Sequence, residues 1–125
     1  MTLPRLAWAA FVLAVAHVAV GVGMVVVGNE EGVGGAFLYM ALFAVPLVLI
    51  GLGLRSSEAR WRSTAGWVAL VLAAYYVFVV IGNWSGYTGS EAALALGASL
   101  PTSALELLIF RAVMLGGSRG YPRTR

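Results

Sequence analysis

Apolar residues run almost without interruption through four stretches of the chain: Leu6–Gly28, Ala36–Leu54, Ala65–Asn83 and Ala92–Leu115. A hydrocarbon core about 30 Å thick takes roughly 20 helical residues at about 1.5 Å each, and each stretch is of that order. The pattern predicts four transmembrane helices. The segments between them are turn-like: "GNEEGVGG", "RSSEARWRST" and "WSGYTGSE", with Ser90 placed to cap the last helix. Short loops of this kind predict an all-α integral membrane protein, an up-down-up-down bundle in which the first and last helices are neighbours. Residues 1–118 form one membrane domain in this reading, and 119–125 a basic, disordered cytoplasmic tail. A secretory signal competes for the first 28 residues, but the run from Leu6 to Gly28 exceeds an h-region of about 7–15 residues. It is read as a retained span.

Within lipid, packing surfaces are marked by small and polar residues, because apolar side chains gain little by leaving acyl chains for one another. The first span carries such a stripe at spacings of three and four: Ala7, Ala10, Ala14, His17, Gly21, Met24 and Gly28. The third repeats it with Gly66, Ala69, Ala73, Tyr76, Val80 and Asn83, and the fourth has Ala95, Ser99, Thr102, Ser103 and Glu106 on one arc. The second span offers Pro46 but no clear polar stripe. His17 is the middle residue of its span, with Tyr76 and Glu106 close to the middle of theirs, so the three are expected to share one layer.

Charge then supplies direction, since arginines near span ends resist translocation. Arg5, the group Arg55, Arg60 and Arg62, and the group Arg111, Arg119, Arg123 and Arg125 all fall on one side of the predicted topology. Glu30, Glu31 and Glu91 occupy the other. Both termini are therefore expected in the cytoplasm, with Trp8, Trp61 and Trp67 at the inner interface and Trp84 and Tyr87 at the outer one.

Composition agrees: 61% of residues are hydrophobic and 10% charged, against about 45–50% and 25% in soluble domains. All basic residues are arginine and all acidic ones glutamate, which with the Ala/Val/Gly richness points to a GC-rich bacterial genome and a multi-pass protein of the bacterial cytoplasmic membrane. The net charge of +3 reflects the loop asymmetry and suits anionic headgroups, giving no case for nucleic acid. With no cysteine, disulfides and thiolate chemistry are excluded.

Glu106 is the strongest chemical signal, because a mid-span carboxylate costs about 2.5–3.5 kcal/mol even on insertion scales. Structure alone can account for such a group if Thr102, Ser103 or a neighbouring helix bonds it. Arg111, five residues on, is expected to snorkel to headgroups instead of pairing with it. His17 could bridge helices as a neutral imidazole or share a proton with Glu106. Tyr76, Ser99, Thr102 and Ser103 complete the expected proton- or ligand-binding set. Pro46 and Pro101 each remove a helical hydrogen bond and free the carbonyls of Leu42 and Gly97. No metal or other cofactor is implied, since one histidine and one glutamate fall short of a ligand set unless an oligomer doubles it. The match Asn83-Trp84-Ser85 to a glycosylation sequon and the glycine pairs Gly21/Gly23 and Gly51/Gly53 carry no site reading.

Four spans in so short a chain resemble the small multidrug resistance transporters in size and topology. The essential carboxylate of those transporters lies in the first helix, where this sequence has only His17 between Val12 and Val22. Small fluoride channels are also four-span chains, but their arginine and Ser/Thr-rich filter segment has no counterpart here. Three functions follow from the residues. The first is an interaction or accessory protein docking through Ala/Gly surfaces into a homo-oligomer or larger membrane complex. The second is a proton-linked carrier of a small lipophilic or cationic solute, using Glu106. The third is a membrane-embedded enzyme acting on a lipid or isoprenoid, with Glu106 as acid and His17 as base.

Overall fold

The computed structural model describes residues 2–27, 30–82, 84–86 and 89–116. These form helices α1 (Leu3–Val27), α2 (Glu30–Arg55), α3 (Ala59–Gly82) and α4 (Gly89–Gly116), with a 3-10 turn at Trp84–Gly86. There is no strand among the described residues. All four helices are long and apolar enough to cross a membrane, over Leu3–Gly23, Gly34–Arg55, Ala59–Gly82 and Leu96–Leu115. The helices outrun the apolar stretches: α2 starts at Glu30 and runs through Gly32, Gly34 and Gly35 against their propensity, and α3 starts at Ala59, where Ala and Arg favour helix. Gly28, Asn29, Asn83, Tyr87 and residues 117–125 lie outside the described residues, as do the side chains of Met24, Glu30, Glu31, Trp84, Ser90, Glu91 and Ala95.

Alpha-1 packs most extensively on α2 and α3 on α4, while thinner contacts between α2 and α3 and between α4 and α1 close the ring. The small-residue stripes make those contacts. Ala7, Ala10, Ala14, His17 and Gly21 are buried on α1, and Gly66, Ala69, Ala73, Tyr76 and Val80 on α3. On α4 the buried face includes Ala98, Ser99, Thr102, Ser103, Glu106 and Ile109. Close approach is most evident where Gly51 faces Phe11: a Cβ there would stand 2.5 Å from the ring. Met40 fills the corresponding space over Gly21. Large side chains such as Val12, Val26, Phe37, Phe78 and Leu115 point outward, as expected of a surface facing acyl chains.

The connection from α2 to α3 is held by its own polar groups. Arg62 Nη1 donates to the carbonyls of Ser56 and Ser57, both at 2.8 Å, and the Glu58 amide donates to Ser56 Oγ at 3.1 Å. Arg60 Nε donates to Glu58 Oε2 at 2.7 Å, and its guanidinium carbon lies 5.1 Å from the Trp61 ring centroid. The polar run "RSSEARWR" therefore builds a fixed corner at the end of the bundle.

Candidate functional site

His17 takes polar partners from two other helices, one of which, Tyr39, the sequence did not reveal. His17 is 4% exposed and uses both ring nitrogens: Nδ1 lies 2.5 Å from Tyr39 Oη and Nε2 lies 2.7 Å from Thr102 Oγ1. Thr102 Oγ1 in turn donates its proton to the Ala98 carbonyl at 2.6 Å. A hydroxyl has one proton, so Thr102 must accept from His17. This fixes the imidazole as the Nε2–H tautomer, and Nδ1 then accepts from the Tyr39 hydroxyl. Three helices are joined by one directed chain of hydrogen bonds.

Aromatic packing continues the layer. The His17 ring lies 4.9 Å from the Phe43 ring, which stacks on Tyr76 with centroids 4.5 Å apart and planes 14° from parallel. Tyr76 donates its hydroxyl proton to the Leu42 carbonyl. That carbonyl is the one Pro46 deprives of its helical donor, so the tyrosine of α3 satisfies the defect in α2. Tyr76 thus has a structural task that its place among the expected site residues did not anticipate. No hydrogen bond within the described set marks the Gly97 carbonyl freed by Pro101, and Pro101 itself faces outward.

Glu106 stands one turn beyond Thr102 on the same face of α4 and is wholly buried. Neither carboxyl oxygen has a hydrogen-bond partner among the described residues, and the Ser103 hydroxyl, three residues before it on α4, also has none. Arg111 is exposed on α4, and Arg60–Glu58 is the salt bridge found among the described residues, so Glu106 has no cation partner among them. His17 and Glu106 sit on facing helices a turn apart, but no hydrogen bond joins them; the nitrogens of His17 are committed to Tyr39 and Thr102. Ser99 is buried on the same face of α4. No group of three or more metal-ligating side chains occurs among the described residues.

Tyr39 and Phe43 are the residues that sequence reasoning missed. The second helix has no polar stripe, yet Ala36, Tyr39, Phe43, Leu47, Ile50 and Leu54 repeat at spacings of three and four. That repeat was the available signal for the face carrying Tyr39.

Four apolar helices closed around a polar layer fit the class of small multi-pass membrane proteins. Comparison with protein families, curated proteins and solved structures finds no match, so the site itself is the guide to function.

Proposed function

We propose that the chain is a proton-linked carrier of a small lipophilic or cationic solute, with Glu106 as the group that exchanges proton for solute. The observation carrying this reading is the fully buried carboxyl whose two oxygens, with the adjacent Ser103 hydroxyl, lack partners within the bundle. Native interiors satisfy nearly all buried polar atoms, and exceptions point to a catalytic role, a bound water or an ion. A carboxylate without a cation in such surroundings costs several kcal/mol. A proton or a cationic solute removes that cost, and only one of them fits at a time.

In this proposal consecutive helices run up-down-up-down, with both termini in the cytoplasm of a bacterium and the chain embedded in its cytoplasmic membrane. Two contacts support the alternation: Phe11 meets Gly51 while Gly21 meets Met40, so positions rise along α1 as they fall along α2. The arginine distribution supports the orientation. The carrier reading is preferred to an accessory role through Ala/Gly docking because the stripes proposed for docking are occupied within the chain, Ala7, Ala10 and Ala69 being 0% exposed. It is preferred to acid–base catalysis because His17 and Glu106 are not assembled as a hydrogen-bonded pair. Carriage by a homo-oligomer is part of the proposal, as four short spans offer little room for a pathway through one copy.

The test is ethidium uptake into proteoliposomes driven by a pH gradient. The intact chain is expected to accumulate the dye and Glu106→Gln to abolish accumulation while retaining helix content. Unchanged uptake in Glu106→Gln removes Glu106 from the mechanism. No uptake by either protein, with a larger assembly seen by mass measurement after mild extraction, favours the accessory role.

A further inference from the structure

A second feature lies at the arginine-bearing end of the bundle, away from the polar layer. Alpha-2 and α3 touch there through Gly53, where a Cβ would come within 2.9 Å of the Ala65 Cβ and 3.1 Å of the Trp61 carbonyl. Beside this tight contact lies an open groove of about 480 Å³. Its wall is formed by Leu49, Leu52, Trp61, Ala65 and Val68, with Ser56 and Thr64 at the rim. The rim hydroxyls are occupied, Ser56 Oγ by the Glu58 amide and Thr64 Oγ1 by the Arg60 carbonyl, so the interior is effectively apolar. The volume falls in the range of about 300–1,000 Å³ typical of ligand sites.

Charge at the mouth narrows the occupant. The Arg60 guanidinium lies over Trp61, which lines the groove, and its hydrogen bond to Glu58 uses only its Nε–H, leaving four of its five donors. Arg55 is exposed at the end of α2, next to Ser56 on the rim. Arg62 holds the Ser56 and Ser57 carbonyls, so the rim is fixed before anything binds. Set against the single Glu58, the corner carries an excess of positive charge. An apolar slot with a guanidinium at its mouth complements an acyl chain attached to an anionic phosphate.

We infer that the groove between α2 and α3 is a binding site for one anionic phospholipid, its acyl chain along Leu49, Leu52 and Val68 and its phosphate on Arg60 and Arg55. Arginines near a membrane surface attract anionic lipid with about fivefold in affinity each. The excess positive charge at the mouth disfavours a headgroup that carries its own cation beside the phosphate, so the site selects headgroup as well as chain. This inference stands apart from the carrier reading, since neither Glu106 nor any other residue of the polar layer contributes to it.

The experiment is native mass spectrometry of the full chain in detergent titrated with phosphatidylglycerol or phosphatidylcholine of the same chains. Phosphatidylglycerol is expected to be retained preferentially, Arg60→Gln to reduce that preference about fivefold, and Val68→Trp to lower retention of both lipids by filling the slot. Val68 faces outward at 39% exposure, so the larger ring does not disturb the bundle interior. Equal retention of the two lipids, unchanged retention in Val68→Trp, or displacement of the lipid by millimolar inorganic phosphate would each overturn the inference, the last by showing a free-anion site.

Discussion

His17 and Glu106 are both ionisable, both buried and one helical turn apart in depth, yet their surroundings differ in kind. His17 has every polar atom engaged, with Tyr39 on one side and Thr102 on the other. Glu106 has two buried oxygens without a partner among the described residues, and the Ser103 hydroxyl one turn before it has none either. Burial alone therefore does not separate a structural polar group from a functional one in a membrane; the inventory of partners does. A satisfied group ties helices together, whereas an unsatisfied one stores a demand that a proton, a water or a solute can meet.

The contrast predicts opposite responses to substitution. His17→Ala leaves a cavity and removes the acceptor of the Tyr39 hydroxyl, and is expected to destabilise the bundle by about 2–3 kcal/mol in thermal unfolding in detergent. A loss indistinguishable from zero would mean that the hydrogen bonds to Tyr39 and Thr102 do not persist. Glu106→Leu, which replaces an unpartnered carboxyl by an apolar group of similar volume, is expected to raise stability by about 1–2 kcal/mol. Destabilisation instead would show that the carboxyl has protein partners and would move it into the class of His17. The smallest effect is expected of Tyr39→Phe, about 0.6 kcal/mol, since interhelical hydrogen bonds in membranes average that value. A double-mutant cycle of His17→Ala and Tyr39→Phe then shows whether the pair acts as one unit.

Much of this architecture was legible in the sequence. Uninterrupted apolar length determined the four helices, and the recurrence of alanine and glycine at spacings of three and four located the inward faces of α1 and α3, because only small residues allow such close approach. The arc from Ser99 to Glu106 was legible for the same reason: polar groups in an apolar run have nowhere else to point. Tyr39 was legible only through the repeat from Ala36 to Leu54 that marks its face; its bond was not, since a tyrosine in an apolar helix suits either lipid or protein and its partner His17 lies 22 residues away on another helix. The capture of the Leu42 carbonyl by Tyr76 was half legible. Pro46 announces the freed acceptor, but which helix supplies the donor depends on the tertiary register. The unpartnered state of Glu106 was beyond reach from sequence, being a statement about every neighbour at once.

The direction of the hydrogen bonds through His17 carries one more consequence. Tyr39, His17 and Thr102 all pass their protons the same way, and the series ends at the Ala98 carbonyl, an oxygen with no proton to hand on. In terms of conduction this is a closed circuit end and not a wire. To relay a proton toward Glu106, Thr102 would first have to rotate its hydroxyl off Ala98, breaking the bond that orients the imidazole. As built, the series rectifies nothing and conducts nothing; it insulates, holding α1, α2 and α4 in register while leaving the carboxyl one turn away free to change its charge.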